Sequence, residues 1–227
     1  MPQSQIRVEL IDHMGSDLST VNSARVSFDK VSTELSPKDI GLIRYLANHK
    51  HMTPFRHNQI QLRCHAPIFL ARQLGKHQAG LSWNEVSRRY VSTKPEFYTP
   101  DEWRGRPEGS IKQGSAGVVE KIPDSRDYNR LDHTHTLYNE LIRDSLTLYN
   151  DMLKGGVAPE MARMVLPQSM MTSWHWTGNL LAFAHVYRER IHEGAQLEAQ
   201  WFAQQLDSVI RPLFPESWSA LVDTQET

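Results

Sequence analysis

The sequence predicts an α+β protein in which helices pack against a mostly antiparallel sheet, and three patterns indicate this class. Short segments with alternating apolar and polar residues predict strands, above all Gln59 to His65. Apolar residues at helical spacing recur from about Leu131 to Leu153 and from Leu197 to Ile210. The chain has no internal repeat, and at 227 residues we expect a single domain over residues 1–227.

Strands and helices alternate in the N-terminal half. Arg7 to Ile11 predicts a first strand, and Asp17 is expected to cap a short helix that runs to Val26. Ser36 followed by Pro37 predicts the start of a second helix, because serine accepts from free N–H groups and proline suits the first helical position. This helix should end near His49.

A third helix should open at Pro67 and end at Gly80, because glycine readily takes the left-handed conformation that closes helices. Residues 81–91 should then be extended. The stretch from about 100 to 127 contains many glycines and prolines with little periodicity, which predicts a long loop and a candidate lid.

The C-terminal half should be mainly helical. After the helix from Leu131 to Leu153, a short helix is expected between Pro159 and Pro167, and Ser169 to Thr177 predicts a strand. Asn179 should start a helix that reaches Ile191, and the last expected helix is the one from Leu197 to Ile210.

Composition excludes several classes of protein. The formal charge of −1 and pI of about 6.8 count against a protein that binds nucleic acid by bulk electrostatics. The single cysteine, Cys64, excludes an internal disulfide framework. No segment approaches the roughly 18 apolar residues that a membrane span needs, so we expect a cytoplasmic protein without a membrane partner.

Arg72 to Tyr90 is too polar for a core. It places five cationic groups near one carboxylate, a combination that suits an anionic, planar ligand such as a nucleotide because arginine binds phosphate bidentately. A solvated, charged helix followed by a charged strand is the alternative.

This segment resembles the signature of flavin-dependent thymidylate synthases. The family has Arg-His-Arg, seven or eight residues, then Ser, with Asn-Glu before that serine and Arg-Tyr after it. Here Lys76-His77-Gln78 is followed by eight residues and Ser87, with Asn84-Glu85 and Arg89-Tyr90 in place.

Five further segments are similar to the family in the same order along the chain: Ala24–Phe28, His51–His57, Ala66–Gln73, Ala162–Pro167 and Trp176–Asn179. The resemblance implies the family's fold, FAD as cofactor, reductive methylation of dUMP to dTMP, methylenetetrahydrofolate as one-carbon donor and NADPH as reductant. It also implies a homotetramer whose sites are shared between subunits, without nucleic acid as a partner.

The resemblance assigns roles to individual residues. Arg190 would be the catalytic group that polarises the pyrimidine. The side chains implied to contact the cofactor are Ser27, His51, Thr53, Lys76, His77, Gln78, Asn84, Glu85, Asn179 and His185. Those implied to contact the nucleotide are Gln73, Glu85, Ser87, Arg88, Arg89, Arg163 and Arg190. Leu181 stands where many members have a second flavin-contacting arginine, and Gly194 where they commonly have a histidine.

Other interpretations of the sequence remain open. The altered triplet favours a related pyrimidine nucleotide hydroxymethylase, and Trp83 and Tyr90 among the cations are typical of a non-enzymatic nucleotide or nucleic-acid binding module. His49, His51 and His57 lack the acidic or cysteine partners of a metal site, so no metal is expected. Cys64 falls at an inward strand position, which disfavours a thiolate nucleophile.

Overall fold

The computed structural model describes residues 5–107, 114–124 and 127–223. Two compact units are formed. The first contains His65–Gln73 and Glu85–Ser173, and the second contains Arg7–Cys64, Leu74–Asn84 and Trp174–Thr227. The expectation of a single domain over the whole chain stays a prediction.

Helices make up about half of the described structure. They are α1 (Asp17–Arg25), α2 (Pro37–Asn48), α3 (Ile68–Leu74), α4 (Thr134–Lys154), α5 (Pro159–Ala162), α6 (Leu180–Ile191), α7 (Leu197–Ile210) and α8 (Pro215–Val222), with 3-10 turns at Val26–Phe28, Thr53–Arg56 and Arg163–Val165.

The strands are β1 (Arg7–Met14), β2 (Gln59–Pro67), β3 (Leu81–Glu85), β4 (Arg104–Gly105), β5 (Ala116–Val118), β6 (Lys121–Asp124), β7 (Asp127–His133) and β8 (Met171–Asn179). The main sheet has four strands in the order β1-β2-β8-β3, and β4-β5 and β6-β7 form two small antiparallel pairs. This mixture of helices and antiparallel sheet confirms the predicted α+β class.

Aromatic rings fill the core of the second unit. Trp174 and Trp176 of β8 are buried while His175 between them is exposed, as the alternation of a strand requires. Trp83 of β3 stacks on Trp174, with ring centroids 4.3 Å apart, and Phe202 of α7 stacks on Trp174 at 6.0 Å. Each such pair adds about 0.5–1.5 kcal/mol beyond its buried area, so the strands and helices are joined by ring contacts.

The first unit has a smaller aromatic cluster around Tyr98. The Tyr98 ring meets the edge of Phe69 at 5.7 Å, and the hydroxyl of Tyr138 on α4 donates to the Tyr98 carbonyl at 2.5 Å. Trp103 lies edge-on to Tyr138 at 5.0 Å. These contacts fix α4 against the segment that contains Tyr98 and Trp103.

The predicted role of Asp17 is wrong. Ser16 occupies the N-cap of α1, and the buried Asp17 carboxylate instead accepts from the backbone N–H groups of Glu216 and Ser217, at 2.9 and 2.8 Å. Asp17 therefore caps α8, a helix that the sequence interpretation missed. The partner lies about two hundred residues away, and local sequence patterns cannot reveal it.

Two predicted boundaries also differ. α3 ends at Leu74, six residues before Gly80, which lies instead in the turn that leads into β3. The stretch from 100 to 127 contains short strands, and the following helix begins at Thr134 because residues up to His133 pair with β6. Part of the candidate lid, residues 108–113 and 125–126, lies outside the described residues.

Replacing Asp17 with Ala should lower the free energy of unfolding by about 1–3 kcal/mol, because two buried N–H groups at the start of α8 lose their acceptor. Urea denaturation followed by circular dichroism measures the change. Asp144→Ala, at an exposed position on α4, is the control and should stay within about 0.5 kcal/mol of the parent. An equal effect of the two changes would contradict the capping role.

Candidate active site

A cavity of about 560 Å³ opens in the second unit. Its lining comes from the turn after α2, the turn before β3, and α6 from its N-cap to its third turn. The lining residues are Met52, Arg56, Ala79, Gly80, Asn179, Leu181, Ala182, His185 and Arg188. Cofactor sites are typically clefts of roughly 300–1,000 Å³ with a few placed polar groups, so this cavity has the size of one.

The start of α6 is fixed by three hydrogen bonds. The Asn179 side chain accepts from Ala182 N–H at 2.9 Å, and the Leu180 N–H donates to the Asn58 carbonyl at 3.0 Å. Asn58 is fully buried, and its amide donates to Thr20 at 2.8 Å. Asn179 is thus an N-cap whose position depends on α1 as well as on its own helix.

Gly80 brings backbone against the cap of α6. Its φ of +76° lies in the left-handed region that favours glycine, and its carbonyl accepts from Asn179 N–H at 3.3 Å. A Cβ atom at this position would lie 2.6 Å from the Asn179 amide nitrogen. Only glycine therefore lets this turn form a wall of the cavity.

Arg190, the predicted catalytic group, is held by His77. The Arg190 Nε donates to His77 Nε2 at 3.1 Å, and the His77 ring meets the edge of the His185 ring at 5.6 Å. Since His185 lines the cavity, three of the predicted site residues form a connected group at its edge.

The His77 imidazole is neutral at pH 7. Burial first, and then the positive charge of Arg190 and the neighbouring His185, lower its pKa to about 4, while the charge of Glu189 acts in the opposite direction. A neutral ring leaves Nε2 with a lone pair that accepts from Arg190, and places the ring proton on Nδ1. His77 accepts from Nε of the guanidinium and the Glu189 carbonyl accepts from Nη1 at 3.4 Å, so Nη2 is the amino group left to face a ligand.

Other predicted residues of the second unit lie outside the cavity lining. Ser27, His51, Thr53, Lys76, Gln78 and Asn84 are all exposed. His51 lies edge-on to Tyr45 at 6.1 Å, beside the stacked pair of Tyr45 and His49. Their predicted roles stay predictions.

The predicted nucleotide residues other than Arg190 fall in the first unit. Ser87 accepts at its hydroxyl from the backbone N–H and the Nε of Arg89, at 3.3 and 3.1 Å, and Arg88 donates to the Thr93 carbonyl. Thr172 donates to the Glu85 carboxylate at 2.8 Å. This local network shapes the turn that carries the signature's serine and arginines.

Gln73 and Arg163 complete the first-unit set. The Gln73 Oε1 is buried and accepts no hydrogen bond from any described residue. Arg163 is exposed, and its Nε donates to the Glu160 carbonyl at 3.3 Å. Buried acceptors are usually satisfied, so Gln73 fits the predicted contact with a ligand.

Two cavity arginines were missed by the sequence interpretation. Arg56 lies inside the motif from His51 to His57. Arg188 follows His185 by three residues on α6, so His185 and Arg188 lie on the same face of that helix. The spacing from His185 could have indicated Arg188, whereas Arg56 depends on the fold of the 3-10 turn.

The described part of the chain shows neither a metal site nor a membrane span. No group of three His, Cys, Asp or Glu side chains in it is placed to hold a metal ion. Every helix within the described ranges is too short or too polar to cross a bilayer.

The chain is similar to proteins of one family. A family model described as "Thymidylate synthase complementing protein" matches residues 9–216. The "Flavin-dependent thymidylate synthase" of Thermosipho africanus is 35% identical over 215 residues, covering 95% of this chain and 90% of that protein. The protein of the same name from Thermus thermophilus is 34% identical over 213 residues, covering 94% and 74%.

A solved structure is also similar. It is the "UMP/dUMP methylase PolB from Streptomyces cacaoi bound with 5-Br UMP", with a TM-score of 0.79 and 31% identity over 96% of this chain and 94% of that chain. These matches confirm the family that the ordered motifs predicted, and with it the prediction that the chain is an enzyme.

Gly80→Ala should lower the free energy of unfolding by about 2–4 kcal/mol, from left-handed strain of roughly 1–2 kcal/mol and a displaced Asn179 cap. The matched control is Gly156→Ala, since Gly156 has a φ of +85° but no atom within 4 Å of the added Cβ. Thermal and urea unfolding compare the two. If both variants lose the same amount, the contact with Asn179 contributes nothing.

His77→Gln should weaken the dependence of stability on pH. Because the pKa of His77 is about 4 in the folded chain and about 6.5 when unfolded, the unfolded chain takes up the proton first, and stability falls as pH drops from 6.5 to 4. In the His77→Gln variant, this contribution to the loss of stability at low pH is absent. Urea denaturation at several pH values measures the slope, and Lys76→Gln is the neighbouring control. Parallel slopes for His77→Gln and the parent would contradict a neutral His77.

Proposed function

The chain belongs to the flavin-dependent thymidylate synthase family, and on that basis we propose that it methylates dUMP to dTMP with FAD as cofactor. Methylenetetrahydrofolate would donate the carbon and NADPH the electrons. The observation that carries the proposal is the arrangement of Arg190, held through Nε by a neutral His77 whose ring contacts a residue of the cavity wall.

The cavity fits a flavin. Met52, Leu181 and Ala182 give it apolar walls, and the backbone at Gly80 approaches closely where a Cβ would fill the space. Asn179 and His185 provide hydrogen-bonding groups, and both were predicted from the family resemblance to contact the cofactor. FAD, when bound, supplies the hydride of the reductive methylation.

Arg190 would activate the pyrimidine. Methylation needs a nucleophilic C5, and a guanidinium beside the ring stabilises the negative charge that develops when the N3 proton is lost. The hydrogen bond to His77 fixes the guanidinium before the ligand arrives, so little reorganisation is needed during the reaction. The half-buried setting of Arg190 strengthens this interaction because water screens it less.

Cys64 supports a route without an enzyme thiolate. The side chain is fully buried in β2, and burial raises the pKa of the thiol well above its usual value, with the charge of Glu9 acting in the same direction. A thiol in this setting stays protonated and inaccessible at neutral pH. We therefore assign the activation of C5 to Arg190 and not to a covalent adduct.

The nucleotide phosphate would be held by Ser87, Arg88 and Arg89, and the sugar by Glu85. The hydrogen bond from Thr172 orients the Glu85 carboxylate, and the contacts between Arg89 and Ser87 keep the turn compact. Gln73, with its buried unsatisfied oxygen, and Arg163 would add further contacts.

A ribonucleotide is the second candidate substrate. The structurally similar protein from Streptomyces cacaoi is described as a UMP/dUMP methylase and was solved with both 5-Br UMP and 5-Br dUMP. UMP therefore belongs in every assay beside dUMP. Membership of an enzyme family counts against the non-enzymatic alternative, and a hydroxymethylated product is the remaining one.

We also propose a homotetramer with shared sites. Val26, Phe28 and Val31, beside Ser27, are 72%, 74% and 81% exposed. Large apolar side chains grouped on one segment often mark a protein–protein interface. Light scattering after size-exclusion chromatography tests the assembly, and a monomer would contradict it.

The purified protein should be yellow and should convert dUMP to dTMP with methylenetetrahydrofolate and NADPH. Arg190→Ala should lower kcat by about 100-fold, since removing one placed donor to a developing charge typically costs that much. Product mass, measured in parallel with UMP, identifies the reaction.

Arg143→Ala, an exposed arginine on α4, serves as the control and should keep full activity. A colourless protein that binds no added FAD would contradict the proposed function. A product with the mass of a hydroxymethyl nucleotide would favour the alternative, and unchanged turnover in Arg190→Ala would reject the role of that arginine.

A further inference from the structure

The cavity carries two arginines without a compensating carboxylate. Arg56 comes from the 3-10 turn Thr53–Arg56, and Arg188 from the third turn of α6. No aspartate or glutamate is among the lining residues. Both arginines are exposed, and among the described residues neither guanidinium has a hydrogen-bond or ion-pair partner. By contrast, the exposed Arg44 pairs with Glu216.

The part of the cavity wall that α6 provides lies on one face of the helix, and Arg188 is on that face. Leu181, His185 and Arg188 follow one another at helical spacing, so all three lie on the same face. Leu181 contributes no charge to this face. In this chain the cations come one helical turn beyond His185 and from a different element, the turn that contains Arg56.

No residue that lines the cavity balances the positive charges of Arg56 and Arg188. Two guanidinium groups that line one concave site repel each other, and the walls concentrate their field. A phosphate relieves this repulsion and matches the planar fork of each arginine, with two hydrogen bonds available per guanidinium. Carboxylates could do the same, but none of the lining residues offers one.

We propose that Arg56 and Arg188 form the phosphate-binding part of this cavity. The identity of the ligand rests on the proposed function, under which the phosphate is the diphosphate of FAD. The monophosphate of the nucleotide substrate has the same chemistry and is the other source. The apolar walls at Met52 and Leu181 and the polar groups at Asn179 would then contact the remainder of the ligand.

Flavins that differ in their phosphates test the proposal directly. Flavin fluorescence is titrated with riboflavin, FMN and FAD for the parent protein, freed of bound flavin, and for Arg56→Gln, Arg188→Gln and the double variant. Each single change should weaken FAD binding by about 10-fold to 100-fold, as expected for a lost charge-assisted hydrogen bond, while riboflavin affinity stays unchanged. Arg56→Lys should be intermediate, because it keeps the charge and loses the fork.

Controls separate a binding role from a structural one. Arg143→Gln, on α4, should bind all three flavins like the parent protein. Thermal unfolding of each variant shows whether the fold is kept. Equal losses for riboflavin and FAD, or affinities for both FAD and dUMP within about twofold of the parent in the double variant, would overturn the proposal.

Titration with dUMP distinguishes the source of the phosphate. If dUMP affinity falls in the variants and FAD affinity does not, the arginines bind the phosphate of the nucleotide. The two arginines then still form a phosphate site, but its ligand is dUMP and not FAD. Inorganic pyrophosphate provides a test that needs no flavin. It should raise the melting temperature of the parent protein more than that of the double variant, in which only Ser87, Arg88 and Arg89 remain to bind phosphate. This holds even if the parent binds no flavin and the proposed function fails. An equal rise in both proteins would reject the site.

Discussion

Among the hydrogen bonds that hold the first turn of α6, the one from the Leu180 N–H to the carbonyl of the buried Asn58 joins the helix to a distant part of the chain. Asn58 is itself fixed by Thr20 of α1, so a helix start in the second half of the chain depends on residues from the first. Most of the cavity lining follows from this constraint, because the helix start orients Asn179, Leu181 and His185 together. Displacing Asn58 would therefore move one whole wall.

The same helix connects binding and chemistry. His185 lines the cavity on one side and contacts the ring of His77 on the other, and His77 holds Arg190. One rigid helix thus carries a residue of the cavity wall and the proposed activating group, and their spacing is set by helical geometry. Sites built on such elements keep their geometry better than sites built on loops.

Local signals predicted much of the fold. Ser36 with Pro37, and Asn179 before α6, were recognised because capping chemistry acts within three or four residues. The cap that Asp17 provides to α8 and the pairing of residues up to His133 with β6 depend on distant partners, so the sequence could not reveal them. Arg56 was missed for the same reason, since only the folded turn brings it to the cavity. The family motifs identified Arg190 and His77, whereas their hydrogen bond is a property of the packed structure.

Because Cys64 is buried, the reactivity of its thiol reports whether the main sheet has opened. The thiol lies at full burial in β2, a strand with neighbours on both sides in the main sheet. It is the single cysteine of the chain, so any reaction with a thiol reagent is assigned without ambiguity. Modification requires the sheet to open, and the rate at which a reagent labels the protein then measures the free energy of that opening. A ligand that binds only when the sheet is closed would slow the labelling. The labelling rate of the unmodified chain therefore also measures how much ligand is bound.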